Sequence, residues 1–309
     1  MLSIASKIFM AILNKRLYNW IESTGKLDPT QAGFRRDYST TDHIFTITQI
    51  ISNCLYGQNR SKCFIAFIDF KRAFDTVKRD KLWEILNKIG VSNKMLNMLQ
   101  AIYSDVKGCV KYGGEISPTF ECPVGLRQGC LLSPLLFSLM INEVADAIRT
   151  GGGHGYQFLP GTPEILSLMF ADDMSLMSLT PTGLQRSLNT LANSVKELGL
   201  QINMDKTKII IFRKGGIIAE REKWHLNGEN IEIVNNYRYL GYTLSTKLSK
   251  EIALAEYVGK AKKRVFQIRK ATCALGYLDY TIYYKLFQAQ ALPALLYASE
   301  VWVHLNIRK

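Results

Sequence analysis

Two short apolar runs that end on aspartate constrain this chain more than any other feature: "CFIAFID", residues 63–69, and "LMFADDMSLMSL", residues 168–179. Each apolar stretch has the length and residue types of a buried strand. In the second, Asp172 and Asp173 lie between two such stretches, at the tip of a predicted hairpin. Aspartate is an ordinary turn residue, because its carboxylate bonds nearby backbone amides. A turn needs only one, and two adjacent carboxylates repel. Hard divalent cations such as Mg2+ prefer carboxylate oxygens and would relieve that repulsion. Asp69 supplies a third acid at the end of the other strand. It reads either as a solvated strand end or as a functional carboxylate, since an unpaired acid is costly to bury. If the strands are neighbours, the three acids face one cleft and suit two cations about 4 Å apart.

The remaining composition bounds the partners. Lys plus Arg number 39 against 26 Asp plus Glu, a formal net charge of +13. That excess favours a polyanion, nucleic acid before membrane. The six cysteines are scattered without a C-x-x-C pair, so a zinc site or disulfide framework is not expected. The longest apolar stretch, "CLLSPLLFSLMI", is too short and interrupted to span a bilayer. With 309 residues the chain can bury a large core shared by two or three subdomains.

Along the chain, Ile8, Phe9, Ile12, Leu13 and Leu17 have helical spacing, and the basic amphipathic N-terminus reads as a helix rather than a presequence. Ser39 and Asp42 form a capping-box pattern that starts a second helix near Thr40. Two helices follow the first apolar strand, with Gly90 at the break and Ser92 as N-cap. Ser133 and Pro134 predict an N-cap and first-turn pair for a further helix. Leu184, Leu188, Leu191, Val195 and Leu198 make one apolar stripe that ends at Gly199. The Gly-rich "TGGGHGY" lacks the context of a phosphate loop. Strands are predicted near "KIIIF" and "YRYLGYTL", and from about residue 246 the pattern is helical. Strands and helices intermix without strict alternation, which favours an α+β fold with an antiparallel sheet.

Seven ordered blocks carry a resemblance: "SKIFMAILNKRL", "QAGFRRDYSTTDHIF", "FIDFKRAFDTV", "GLRQGCLLSPLLF", "FADD", "GLQINMDKTK" and "YLGY". Together they resemble the reverse transcriptase domain of non-LTR (LINE-type) retrotransposons. The resemblance implies a right-hand polymerase with an antiparallel palm sheet, packed helices, helical fingers and a partial helical thumb. It implies partial fingers over 1–62, palm over 63–245 with inserted helices at about 78–106, and partial thumb over 246–309. It further implies a chain truncated at both ends, without the upstream fingers hairpin that grips the triphosphate, and so weak extension by the isolated chain.

The implied activity is RNA-directed DNA polymerisation, adding dNTPs to a primer 3′-hydroxyl with two Mg2+ ions, or Mn2+ in their place, as part of a retrotransposon polyprotein. Asp69, Asp172 and Asp173 match the metal-binding acids, with the carbonyl of Phe70 as a further ligand. Phe74 matches the aromatic steric gate under the sugar; by residue type alone it reads as a core aromatic. Gln128 and Gly129 match the nucleotide-contacting loop, and Arg127 a phosphate contact. Lys206 matches the lysine that protonates pyrophosphate, with Lys208 as its rival. Gly241 matches the primer grip, and Arg35 and Arg36 the template contacts. In "KAKKRVFQIRK", Lys260, Lys262, Lys263 and Arg264 match a duplex-binding thumb helix. The implied partners are RNA template, DNA primer and dNTPs, with no membrane and no small-molecule cofactor. The implied location is intracellular, nuclear with cytoplasmic ribonucleoprotein assembly, with no signal peptide or transmembrane segment. Three alternatives stand beside it: a viral RNA-dependent RNA polymerase, against which Phe74 argues; a group II intron-type or retron reverse transcriptase; and a truncated relic that only binds nucleic acid.

Overall fold

The structure, a computed structural model, describes residues 3–58, 60–274 and 279–304. In chain order the elements are α1 (Ile4–Ser23), α2 (Thr40–Tyr56), β1 (Cys63–Ile68), α3 (Arg79–Lys88) and α4 (Asn93–Tyr103). Four two-residue strands follow, β2 (Lys107–Gly108), β3 (Lys111–Tyr112), β4 (Glu115–Ile116) and β5 (Phe120–Glu121). Then come α5 (Ser133–Thr150), β6 (Ser167–Phe170), β7 (Asp173–Ser178), α6 (Pro181–Leu198) and β8 (Lys208–Phe212). Three short strands, β9 (His225–Leu226), β10 (Glu229–Asn230) and β11 (Glu232–Ile233), precede the hairpin β12 (Asn236–Tyr239) and β13 (Tyr242–Ser245). The chain ends in helices: α7 (Glu251–Ala274), α8 (Tyr280–Leu286), a π-helical turn (Phe287–Ala291), α9 (Leu292–Leu295) and α10 (Ser299–His304).

These elements form two compact units. One comprises Met1–Tyr38, Phe64–Ile209 and Ile218–Glu232, and the other Ser39–Cys63, Ile210–Ile217 and Ile233–Lys309. The first is built around the neighbouring strands β1, β7 and β6. β7 pairs antiparallel with β1, Phe64 opposite Ser178 through Ile68 opposite Met174, and with β6, Ser167 opposite Leu176 through Phe170 opposite Asp173. Every residue of β1 is buried. That is why its sequence is continuously apolar rather than alternating: it is an inner strand with both faces covered. α6 packs on β7, α5 on α6 and α3 on α5. α1 buries Met10, Leu13, Leu17 and Ile21, the three- and four-residue spacing of one helix face.

Local chemistry sets most helix ends. Gly199 terminates α6 at φ +72°, a left-handed conformation that glycine adopts without steric cost. At α5 the structure corrects the sequence expectation. The N-cap is Leu132, and Ser133 is the first helical residue. The Ser133 hydroxyl instead donates to the Arg127 carbonyl at 2.8 Å and lies 3.2 Å from the Tyr103 hydroxyl. A tertiary bond has replaced the local cap.

In the second unit, α2 begins with the expected capping box of Ser39 and Asp42. β12 and β13 form a hairpin, α7 packs on β13, and α10 packs on α2. The core includes Ile44, Ile47, Ile51, Phe212, Tyr242, Leu244 and Tyr257. His43 on α2 is buried, and burial depresses its pKa from 6.5 to about 4. The fold therefore favours neutral imidazole. That contribution is complete above the unfolded pKa of about 6.5 and disappears as pH falls through 4. Denaturant melts of wild type should lose about 2–3 kcal/mol between pH 7 and 4.5 through this group. His43→Gln should flatten the profile by that amount; parallel profiles would place the acid sensitivity elsewhere.

Candidate active site

The β6–β7 hairpin turns through two residues, Ala171 and Asp172. Ala171 has φ +59°. A positive φ at the first turn position is a glycine-favouring geometry, and alanine there costs about 1–2 kcal/mol. The turn leaves Asp172 exposed and Asp173 half-buried at the start of β7. Asp69 directly follows β1. The β1–β7 register ends with Ile68 opposite Met174, so Asp69 follows one strand where Asp173 begins the other. The three acids thus lie at one end of two adjacent antiparallel strands. Burial, then the charge of Asp172, then that of Asp69 push the Asp173 carboxyl from 3.8 up to about 6, with Lys206 opposing.

The segment after α6 fastens Asp69. Asn203 Nδ2 donates to Asp69 Oδ2 at 3.0 Å, and the Asn203 amide donates to the Asp69 carbonyl at 2.8 Å. The Asp69 amide donates to Thr207 Oγ1 at 3.4 Å. Lys71 donates to the Gln201 carbonyl at 2.8 Å, and Phe70 forms a bridge with Ile202. Lys206 Nζ stands 3.7 Å from Asp69 Oδ2. Lys208, its rival in the sequence, is turned to Glu232 at 2.7 Å. Of these two lysines, Lys206 is the one that stands beside the acids.

The loop after α1 fastens the other side. Ala32 donates to the Met169 carbonyl and Met169 to the Thr30 carbonyl, both at 2.9 Å, which pairs this loop with β6. The buried Gln31 side chain accepts from the Gly33 amide at 2.8 Å and the Ala171 amide at 3.2 Å. A Cβ on Gly33 would fall 2.0 Å from the Ala171 nitrogen, so only glycine fits. Arg35 is a strut: it makes paired bonds to Glu22 at 3.0 and 2.8 Å and bonds the Asp28 and Gln31 carbonyls. Arg36 faces outward over the Tyr18 ring. Gln31, Gly33, Asn203 and Thr207 lie inside quoted sequence blocks, but sequence reasoning singled out none of them. The partners that tie them to Ala171 and Asp69 are more than a hundred residues away, and no local pattern announces such pairings.

Phe74 is half-buried, its ring 4.7 Å from that of Phe137 and 6.4 Å, edge-on, from that of Phe34. Its carbonyl accepts from Leu126 at 2.8 Å, tying it to the "GLRQG" loop. In that loop Gln128 is exposed and donates to Asp75 Oδ1 at 3.1 Å, and Gly129 has φ +77°. The Arg127 guanidinium lies 5.7 Å over the Tyr103 ring. A cleft of about 720 Å³ beside Gln128 is lined by Asp75, Arg79, Lys107 and Arg127. In the second unit, Leu240 (φ +46°) and Gly241 (φ +86°) turn the β12–β13 hairpin, and Tyr297 donates to the Leu240 carbonyl at 2.6 Å. On α7, Lys262, Lys263 and Arg264 are exposed, and Lys260 and Lys263 line a cleft with Arg238.

Among the described residues, no three or more acidic, histidine or cysteine side chains converge tightly enough to form a ready-made ion cage. The donor kind nevertheless fits a hard divalent cation: three carboxylates, one raised by burial and then by the charges of the other two. Positive charge at this place would relieve the repulsion that raises Asp173.

Acids thus stand at a strand end and at a hairpin tip of antiparallel strands. Residues 1–244 match the family model of reverse transcriptase (RNA-dependent DNA polymerase), and the chain belongs to that family. Its curated relatives come from non-LTR retrotransposable elements. The Pol polyprotein of type-1 retrotransposable element R2 from Popillia japonica is 27% identical over 78% of this chain and 34% of its own length. The probable RNA-directed DNA polymerase from transposon BS of Drosophila melanogaster is 24% identical over 98% of this chain and 33% of its own. The chain therefore spans about a third of these relatives. Among solved structures, telomerase from Candida tropicalis in complex with a TWJ fragment of telomeric RNA superposes with a TM-score of 0.54. It is 13% identical and covers 98% of this chain and 47% of the telomerase chain. The fold is that of a right-hand polymerase.

Proposed function

We propose that this chain is the polymerase core of a retrotransposon polyprotein and adds dNTPs to a primer 3′-hydroxyl under the direction of an RNA template. The observation that carries this reading is the β1–β7 register, which ends beside Asp69 and Asp173, with Asp172 on the adjoining turn and Lys206 beside Asp69. Asp69, Asp172, Asp173 and the Phe70 carbonyl would hold two divalent cations, Mg2+ or Mn2+. When bound, such ions supply activation of the hydroxyl and neutralisation of the departing pyrophosphate. The residues of the chain do the rest. Lys206 delivers a proton to the leaving pyrophosphate. Phe74 fills the space beneath the sugar. Gln128 and Gly129 line the incoming base pair, and Arg127 bonds phosphate.

Residues 1–62, 63–245 and 246–309 correspond in this reading to segments of the fingers, palm and thumb. Arg36 contacts template, with Arg35 holding its loop, and Gly241 steadies the primer. Lys260, Lys262, Lys263 and Arg264 bind duplex phosphates. The retrotransposon relationship supports work on RNA and DNA in the nucleus after cytoplasmic ribonucleoprotein assembly. Among the described residues no helix is long and apolar enough to cross a membrane.

Primer extension on poly(rA)/oligo(dT) with Mg2+ tests this. Template-dependent extension is expected, and duplex binding without any extension would leave a binding relic. Lys260→Ala with Lys263→Ala should lower the slope of log affinity against log salt by about 1.4–1.8, since each phosphate contact releases counterions. An unchanged slope would remove α7 from the interface.

A further inference from the structure

The acid turn is strained. Ala171 holds a left-handed φ of +59° where glycine would be at ease. Its amide bonds to a side chain that lies 140 residues earlier, Gln31, at 3.2 Å. The Gln31 side chain is wholly buried, and among the described residues its Nε2 has no hydrogen-bond partner. A buried amide with one end unsatisfied is a net cost to folding unless its other end does something needed. Its carbonyl end bridges two amides, those of Gly33 and Ala171. Gly33 closes the arrangement, since a Cβ there would strike the Ala171 backbone. An apolar residue at position 31 would leave no orphan donor, but it would also release the turn.

We infer that Gln31 is a positioning residue: its side-chain carbonyl holds Ala171 in the left-handed conformation that presents Asp172 and Asp173 to a divalent cation. This rests on reading the three carboxylates as an ion site. Gln31 touches neither substrate nor cation in this role. It acts through the Ala171 backbone, and the unsatisfied Nε2 is the stability given up for that placement. The glycine at 33 serves the same end by letting the loop backbone approach the turn.

The test uses the 309-residue chain and Mn2+ alone as the probe, read by water-proton relaxation. Gln31→Met keeps the length of the side chain and deletes the acceptor. Its Mn2+ Kd should rise on the order of tenfold, ~1.4 kcal/mol. Amide exchange at Gly33 and Ala171 should accelerate, while the β1–β7 ladder keeps its protection. Adding Ala171→Gly should restore Mn2+ affinity, because glycine takes the turn conformation without help; a merely structural Gln31 would not be rescued in this way. Gln31→Glu retains acceptor oxygens and should keep both amides protected, which decides the matter should Gln31→Met fold poorly. Mn2+ affinity and exchange unchanged in Gln31→Met, or lost protection in Gln31→Glu, overturns the role of Gln31 alone. Failure of wild type to bind Mn2+ overturns the ion-site reading itself, and this role with it.

Discussion

Asp172→Asn should abolish primer extension, by on the order of a thousandfold or more, while duplex binding stays at wild-type strength or tightens. A thousandfold corresponds to about 4 kcal/mol of transition-state stabilisation, within what a correctly held ion supplies. The fold should be untouched. Asp172 is exposed on a two-residue turn, asparagine has the same shape, and surface changes of this kind stay within about 0.5 kcal/mol. Binding should hold or improve because one negative charge beside phosphates is gone. The substitution also removes the second-largest cause of the raised Asp173 carboxyl, so that group should titrate closer to its ordinary value. Extension and gel-shift assays on one preparation separate the two effects. Extension at the wild-type rate would return Asp172 to the ordinary class of turn aspartates.

Phe74→Ala should admit ribonucleotides. The ratio of kcat/KM for dNTP over rNTP should fall roughly tenfold to a hundredfold, about 1.4–2.8 kcal/mol of lost discrimination. The ring is half-buried against Phe137, so its removal also costs stability, below the ~3–5 kcal/mol of a fully buried phenylalanine. The bond from the Leu126 amide to the Phe74 carbonyl is backbone and survives the change. Phe74→Tyr keeps the ring and should keep discrimination, which separates loss of bulk from loss of fold. A folded Phe74→Ala that still rejects ribonucleotides would make Phe74 a packing residue only.

Which features could be read from the chain, and which could not, follows from the range of the forces involved. The β1 strand, the capping box of α2 and the glycine stop of α6 were legible because each is decided within a few residues, by apolar patterning, a side-chain bond to a neighbouring amide, or a left-handed φ. The acids themselves were legible because charge in an apolar run is conspicuous. The start of α5 was misplaced by one residue because Ser133 bonds Arg127 and Tyr103 in place of its own helix end.

By itself the sequence determined the α+β class, the strands that carry Asp69, Asp172 and Asp173, and the family. The tertiary structure alone decided who faces whom. Register, not composition, brings the end of β1, beside Asp69, to the start of β7 at Asp173. Tertiary ion pairs and hydrogen bonds turn Lys206 to Asp69 and Lys208 to Glu232, point Arg35 inward onto Glu22, and hand the acid turn to Gln31. Periodicity along a chain specifies which face of an element is buried; it does not name the partner across the gap. Those partners are selected only when distant segments pack and every buried amide must find an acceptor.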